Sequence, residues 1–277
     1  MPRPPIDDGV VLLTGASSGI GLELARLLAP RARVLALVAR RKARLDALRD
    51  ELARSAPRCK VLVLPADLSD RASTDAMLEA LCREAPEVDV LINNAGFGDM
   101  DLFELADWPK TEQMLRLNID ALLYLTHRVL GGMVARRRGG VLNVSSGAGM
   151  AFFPGFAAYI GTKHFVTGFT EALRLDLSGT GVVVSQLCPG PVATEFEAVA
   201  GNFTGMSPPG IVELSAAACA RQALRGFDRG RALIVPGALM WLVMWVAERT
   251  PRWVRRLVLA PFARALRHKR LSSKKPA

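Results

Sequence analysis

A tyrosine and a lysine stand four positions apart in the second half of the chain, in a stretch that predicts a helix. Tyr159 and Lys163 therefore lie on one face of that helix. Ser146 follows a short apolar segment before the tyrosine, and Asn118 lies in the helix that precedes this segment. Polar residues in helices are often only solvent-exposed, so the pair alone indicates little. The four residues together indicate a site, because all are predicted at the same edge of one sheet.

These residue types are suited to moving a proton on and off a carbonyl or hydroxyl oxygen. A phenol has a reference pKa of about 10, so forming tyrosinate at pH 7 costs roughly 4 kcal/mol. The ammonium group of Lys163 lowers that cost by stabilising the phenolate. We expect Tyr159 to act as the acid in carbonyl reduction and as the base in alcohol oxidation. Ser146 would hydrogen-bond the substrate oxygen, and Asn118 would hold a water that connects Lys163 to solvent.

A glycine-rich turn at residues 14–21 lies between the first predicted strand and the first predicted helix. Gly15 suits a tight turn, Gly19 lets the backbone approach a diphosphate, and Gly21 allows close helix–strand packing. The helix N-terminus that follows offers N–H groups to an anion. A purely structural turn is the alternative, but the position of this turn favours nucleotide binding. The residues expected at the diphosphate are Gly15, Ser17, Ser18, Gly19, Ile20 and Gly21.

The end of the second predicted strand indicates which nucleotide binds. A protein selective for NAD usually has Asp or Glu there to bind the ribose hydroxyls. This chain has Ala39 followed by Arg40 and Arg41. Two guanidinium groups without a carboxylate favour the 2′-phosphate of NADP(H) over NAD. The alternative is that both arginines are solvated at the start of a charged helix.

Two further segments follow predicted strands and are expected to contact the nucleotide. Asp67 would accept a hydrogen bond from the adenine amino group, with Leu68 beside it, whereas Asp70 suits a helix N-cap. Small residues after the fourth strand would let the chain pass beside a bound ribose, in the crevice where open α/β sheets bind ligands. These residues are Asn94, Ala95 and Gly96.

The elements that must position these residues alternate along the chain. Seven short apolar segments predict strands, and longer segments between them predict helices. The alternation predicts an α/β fold with a doubly wound parallel sheet and helices on both faces. We expect one domain over residues 1–236 and a basic, amphipathic, helical C-terminal extension over residues 237–277. The predicted strands are Val10–Thr14, Arg33–Ala39, Lys60–Pro65, Val88–Asn93, Gly140–Ser145, Val182–Leu187 and Ala232–Val235.

In order and spacing, these motifs resemble the short-chain dehydrogenase/reductase family over residues 8–236. The resemblance implies a Rossmann-type domain with a seven-stranded parallel sheet, and a homodimer or homotetramer formed through the helix that carries Tyr159. It also implies that Arg40 binds the 2′-phosphate, and its spacing favours Ser146 over Ser145. The catalytic group that it implies is Asn118, Ser146, Tyr159 and Lys163, the last two also contacting the cofactor. The segment that it implies at the nicotinamide contains Pro189, Gly190, Val192 and Thr194.

The net charge of +10 is concentrated at one end of the chain. Ten Lys or Arg residues and no Asp or Glu occur from Arg249 onward, whereas residues 1–248 are formally neutral. A nucleic-acid-binding domain would carry a basic face of its own, so we expect no nucleic-acid partner. Four widely spaced cysteines without a paired motif, and no N-terminal targeting signal, predict a cytoplasmic protein with free thiols. No metal site is predicted, because none of the histidines has a carboxylate or thiol at ligand spacing.

The extension combines three of the four Trp residues with those ten cations. A helical wheel over residues 252–270 places arginines on one side. This pattern is typical of a helix that lies in the plane of an anionic membrane surface, which predicts peripheral attachment to the inner face of a membrane. The alternatives are a cover over the substrate pocket or a subunit contact, with the cations merely solvated. The apolar side of the wheel holds Val254, Leu257, Val258, Phe262 and Ala265.

Large apolar residues surround the predicted site, at Phe97, Phe196 and residues 150–156. They favour a lipophilic ketone, aldehyde or alcohol of lipid metabolism, although simple core packing is the alternative. Residues 195–209 are predicted to form a mobile lid. The favoured hypothesis is an NADP(H)-dependent oxidoreductase that interconverts a carbonyl and a hydroxyl. The second is a nucleotide-binding, membrane-surface protein with little catalytic activity, against which the four filled catalytic positions argue.

Overall fold

A computed structural model describes residues 3–202 and 210–273, and a parallel sheet of seven strands runs through it. The strand order is β3-β2-β1-β4-β5-β6-β9, and β7 and β8 form a separate parallel pair. The predicted strands are confirmed to within two residues at each end. The strands are β1 (Val10–Thr14), β2 (Val34–Ala39), β3 (Lys60–Pro65), β4 (Val90–Asn93), β5 (Gly139–Val144), β6 (Val182–Leu187), β7 (Val192–Ala193), β8 (Leu214–Ser215) and β9 (Leu233–Ile234).

Continuously apolar strands supply side chains to two separate cores, one on each face of the sheet. In β1, Val11 and Leu13 point into one core, whereas Val10 and Leu12 point into the other. Helices α1, α2 and α8 pack on the first face, and α3, α5 and α6 pack on the second. The predicted doubly wound α/β fold is therefore confirmed. The strand order reverses between β1 and β4, and a crevice for ligands forms at such a switch point.

The helices agree with the predicted segments, apart from the one that carries Asn118. The sequence predicts a helix at Asn118; in the structure this residue lies in a π-helical turn, Arg116–Ala121, which separates α4 from α5. Such turns insert an extra residue and occur often at functional sites. The helices are α1 (Gly19–Leu28), α2 (Lys42–Ser55), α3 (Arg71–Glu84), α4 (Trp108–Leu115), α5 (Leu122–Ala135), α6 (Ala157–Asp176), α7 (Phe196–Ala200), α8 (Ala216–Asp228), α9 (Ala238–Arg249) and α10 (Arg252–Ser273).

The C-terminal extension consists of α9 and α10, which follow the last strand of the sheet. Pro261 lies inside α10, and the helix continues through it. Within the described ranges, no helix is both long and apolar enough to cross a membrane. Part of the predicted lid, residues 195–209, forms α7. Residues 203–209 of this segment lie outside the described ranges. The prediction of free thiols is confirmed, since all four cysteines are unpaired.

Candidate active site

The glycine-rich turn lies at the carboxyl end of β1 and leads directly into α1. Gly15 and Gly19 have φ angles of +67° and +55°, a region that favours glycine. The helix begins after Ser18, whose side chain makes no capping hydrogen bond to it. The first N–H groups of α1 thus lack that internal acceptor, and they suit an anion such as a diphosphate.

Two distant predicted segments pack against this turn. Asn94 lies so close to Gly15 that a Cβ added to this glycine would be 2.7 Å from Nδ2 of Asn94. The same amide donates a hydrogen bond to the carbonyl of Thr14 at 2.9 Å. A Cβ at Gly19 would lie 3.0 Å from Cγ2 of Thr194. The fold therefore brings the turn, the end of β4 and the segment after β6 to one edge of the sheet.

Tyr159 and Lys163 lie on α6 at this edge, and both side chains are buried. Nζ of Lys163 is 5.7 Å from the centroid of the Tyr159 ring and donates to the carbonyl of Val144 at 3.0 Å. The tyrosine ring lies between two others, with centroid distances of 5.5 Å to Phe156 and 5.4 Å to Phe196. An apolar aromatic wall therefore surrounds the phenol.

Burial determines the pKa values of this pair. It raises the pKa of Tyr159 to about 12, against an opposing effect of the Ser146 hydroxyl. It lowers the pKa of Lys163 to about 8. The sequence predicted that Lys163 would depress the pKa of the phenol; in the structure, desolvation is the largest effect on this pKa, because burial disfavours the charged form, and the opposing hydrogen bond comes from Ser146. At pH 7 the phenol is neutral and the amine is charged.

The two serines after β5 have different surroundings. Ser145 is buried and donates its hydroxyl hydrogen to the carbonyl of Lys163 at 3.0 Å, so it ties β5 to α6. The Ser146 hydroxyl accepts from the N–H of Ala148 at 3.1 Å and lies beside the Tyr159 phenol. This geometry agrees with the choice of Ser146 as the residue that faces substrate.

Asn118 reaches the site from the π-helical turn. Its side-chain amide donates to the carbonyl of Phe97 at 2.9 Å and accepts from the N–H of the same residue at 3.2 Å. A Cβ at Gly96 would lie 2.9 Å from Oδ1 of Asn118 and 3.6 Å from Nζ of Lys163. All four predicted catalytic residues thus gather at one edge, and Asn118 fixes the chain beside Gly96.

Both arginines of the predicted pair are exposed, and Arg41 contacts the glycine turn. It donates to the hydroxyl groups of Ser17 at 3.1 Å and Ser18 at 2.8 Å. Arg41 also forms an ion pair with Glu195 at 2.8 Å. Sequence reasoning missed this carboxylate, since no local signal pairs residues that lie so far apart in the chain.

Glu195 bridges two arginines, because Arg44 pairs with its second oxygen at 2.7 Å. Hydrogen bonds from Arg44 and Arg41 lower the pKa of Glu195 to about 2. The carboxylate is therefore ionised at all ordinary pH values.

Other residues that were predicted to contact the cofactor have side chains that pack in a core or bond to their own segment. The side chain of Leu68 is buried in a core, and those of Ile20 and Val192 are half-buried and pack against the other core. Asp67 accepts from the hydroxyl and N–H of Ser69 at 2.6 and 3.0 Å. Asp70 caps α3 as predicted, accepting from the N–H of Ser73 at 2.8 Å.

The first helix of the extension, α9, packs over the site. The sequence left three positions open for the extension: a membrane surface, a cover over the substrate pocket and a subunit contact. A Cβ at Gly190 would lie 2.6 Å from Cε of Met240, and Met244 contacts Gly147. The N–H of Gly147 donates to the carbonyl of Pro189 at 2.8 Å, which joins the two loops under α9. The inner side of α9 is therefore a wall of the site.

An anion-binding turn and a buried phenol–amine pair at one edge of a doubly wound parallel sheet define a class: a nucleotide-dependent oxidoreductase of the Rossmann type. The short chain dehydrogenase family model matches residues 9–203. The chain belongs to this family of NAD(P)-dependent oxidoreductases, which confirms the resemblance found in the sequence.

Relatives and solved structures support this assignment. An NADP-dependent 3-hydroxy acid dehydrogenase of Salmonella typhi is 37% identical over 221 residues, covering 74% of this chain and 86% of that protein. A short-chain dehydrogenase from Sphingobium yanoikuyae, solved with NADPH, has a TM-score of 0.77 and 34% identity, covering 87% of this chain and 93% of that one. A bulky-bulky ketone specific alcohol dehydrogenase from Comamonas testosteroni has a TM-score of 0.72 and 29% identity, covering 87% and 92%.

Proposed function

We propose that this protein is an NADPH-dependent oxidoreductase that interconverts a carbonyl and a hydroxyl on a lipophilic substrate, with Tyr159 as general acid and base. One observation carries the proposal: the buried Tyr159 phenol lies beside Ser146 and Lys163, at the edge of the sheet where α1 begins. Catalytic groups with shifted pKa values are expected at such sites.

The bound nicotinamide would supply the hydride that reduces the carbonyl. Tyr159 is suited to donate the proton, because its raised pKa keeps the phenol protonated at pH 7 and an alkoxide is a stronger base than a phenolate. Lys163 is charged at this pH and stabilises the phenolate that remains. Ser146 hydrogen-bonds the substrate oxygen as negative charge develops there. The water relay through Asn118 stays a prediction.

Selectivity for NADPH is proposed from the surroundings of the glycine turn. The 2′-phosphate would be bound by Arg40, as the resemblance implies, and by Arg41, which contacts the serines of the glycine turn. No carboxylate follows Ala39 to bind the ribose hydroxyls of NAD. An arginine fork suits a phosphate, which supports NADPH over NADH. The Salmonella relative and the NADPH-bound Sphingobium structure agree with this choice.

A lipophilic substrate is proposed from the aromatic wall. Phe156 and Phe196 lie on either side of the Tyr159 ring, and Phe97 and Phe152 pack against the same cluster. Met150 packs in a separate apolar cluster with Cys188 and Met244. A pocket lined by aromatic rings favours hydrophobic ketones, aldehydes and alcohols over charged sugars. The Comamonas enzyme, described as specific for bulky ketones, supports the same substrate class.

The proposal is tested by following NADPH absorbance with a panel of hydrophobic ketones and aldehydes. We expect Tyr159→Phe to lower turnover by about 100-fold or more, the scale of a lost acid–base group, while NADPH still binds. Tyr124→Phe is the matched control, because this second tyrosine lies on α5 and its hydroxyl donates to Asp75.

Three outcomes would overturn parts of the proposal. Near-parental turnover of Tyr159→Phe removes the acid–base role. Equal or better kcat/KM with NADH removes the cofactor preference. NADPH binding without conversion of any compound favours the second hypothesis, a nucleotide-binding protein with little activity.

A further inference from the structure

In the C-terminal extension, arginines make several of the contacts between α10 and the domain. In α10, the guanidinium of Arg270 donates to Asp101 at 2.8 Å and Arg267 pairs with Glu104. The guanidinium of Arg255 lies 4.6 Å from the ring centroid of Phe152. Three arginines of this helix therefore contact the domain, whereas Arg252 and Arg256 are exposed. A helix packed on a soluble domain normally buries its apolar side instead.

The apolar side of α10 is correspondingly exposed. Trp253, Leu257 and Val258 are 68%, 70% and 68% exposed, and only Leu266 is fully buried among the apolar residues of the helix. Single exposed apolar residues are ordinary, but a group of large ones marks an interaction surface.

Helix α9 also has an exposed apolar side. Met240 and Met244 pack inward over the site, while the opposite side of the helix is exposed. Trp241 and Trp245 stack on that outer side with centroids 6.4 Å apart, and the guanidinium of Arg249 lies 4.1 Å from the Trp245 centroid. We name the outer sides of both helices the apolar surface of the extension. It consists of Trp241, Leu242, Trp245, Val246, Trp253, Leu257, Val258 and Phe262.

We propose that the apolar surface of the extension docks on an anionic lipid membrane, with α9 and α10 lying at the interface and the domain in water. Tryptophan and arginine around an apolar surface suit the boundary between headgroups and acyl chains. The exposed cations Arg252, Arg256 and Arg264 would meet anionic headgroups.

Charge decides between a membrane and a second copy of the chain as the occupant of this surface. A two-fold dimer contact is formed by the same patch on both subunits. From Arg249 onward each extension has ten basic and no acidic residues. Arg267 and Arg270 pair with carboxylates of the domain, but pairing two such segments would bring the other cations close together, whereas an anionic lipid surface neutralises them.

The test uses the full-length protein with NADPH and sedimented vesicles of phosphatidylcholine, with or without phosphatidylglycerol. We expect the protein to sediment with the anionic vesicles at low salt and to be released as NaCl screens the charges. The emission of the extension tryptophans should shift to shorter wavelength on binding.

Variants locate the contact. The double variant Leu257→Gln, Val258→Gln should lower the partition coefficient by about 10-fold or more, since two large side chains no longer enter the interface. The matched control is Leu175→Gln, Ile211→Gln, because these residues are 77% and 83% exposed but lie outside the extension. NADPH binding should be unchanged in both, which shows that each variant folds.

The proposal is overturned if the parent stays in the supernatant with anionic vesicles at low salt, or if the control pair loses as much binding as the test pair. It is also overturned if light scattering shows that the test pair only converts a dimer to a monomer. Tyr159→Phe should bind vesicles like the parent, so that failure of the proposed reaction and failure of docking are separate results.

Discussion

Burial acts on Tyr159 and Lys163 in opposite directions, because their charged forms differ. The pKa of the phenol rises to about 12 and that of the amine falls to about 8. The pair therefore carries a single positive charge at neutral pH. The Cys188 thiol close to both groups also has a pKa of about 12, so it stays neutral. Lys163 is the group of this site whose charge changes nearest physiological pH.

At the residue scale we predict the pH dependence of reduction. Below pH 8, Lys163 is protonated and stabilises the phenolate that forms as Tyr159 donates its proton. Above pH 8, the ammonium charge is lost, so kcat for carbonyl reduction should fall as pH rises through about 8. Steady-state rates at saturating NADPH and ketone measure this profile. A flat profile up to about pH 10 would contradict the role of Lys163.

At the element scale, an ion-pair bridge connects the start of α2 to the segment before α7. Arg41 and Arg44 on one side both pair with Glu195 on the other. Arg41 also holds the serines of the glycine turn. A phosphate on the nucleotide ribose would compete with Glu195 for Arg41, since both are anions that accept from the same guanidinium.

We therefore predict that Glu195→Gln strengthens NADPH binding by about 2- to 5-fold, the scale of an exposed ion pair. NADH binding should not change, because NADH has no 2′-phosphate. Titration of cofactor against tryptophan fluorescence measures both dissociation constants. Glu197→Gln is the matched control, since Glu197 is an exposed carboxylate two residues further on. An equal change for both cofactors would mean that Glu195 does not compete with the phosphate.

At the scale of the whole molecule, charge is segregated between a neutral domain and a basic extension, and a few ion pairs connect the two. Arg270 and Asp101 are the most buried of these partners, with side chains 19% and 13% exposed. Asp101 follows β4 in the chain, four residues after Phe97, whose backbone Asn118 holds. The far end of α10 is thus attached near the substrate side of the domain.

Asp101→Asn should loosen this attachment without changing the shape of the side chain. Because local opening exposes a helix to protease, we predict that trypsin cleaves after the α10 arginines at least about 3-fold faster. NADPH affinity should be unchanged, and mass spectrometry of timed digests gives the rates. Asp107→Asn serves as the control, since Asp107 is exposed and makes no capping hydrogen bond. Equal cleavage of parent and Asp101→Asn would show that other contacts hold α10.

Most of the fold and the centre of the site could be predicted from local patterns. Unbroken apolar segments predict buried parallel strands, and a spacing of four in a helix places Tyr159 and Lys163 on one face. The glycine turn is recognisable because a strand precedes it and a helix follows it. Each of these signals lies within a few residues of the feature that it predicts.

The sequence alone thus determined the sheet, the nucleotide-binding turn and the identity of the phenol–amine pair. Only the tertiary structure decided that burial raises the pKa of Tyr159, that Glu195 bridges Arg41 and Arg44, and that Arg267 and Arg270 of α10 pair with carboxylates of the domain. The physical reason is the distance along the chain over which each effect acts. Propensity and periodicity depend on residues that are neighbours in the sequence. Desolvation and ion pairing depend instead on which distant residues the fold brings together.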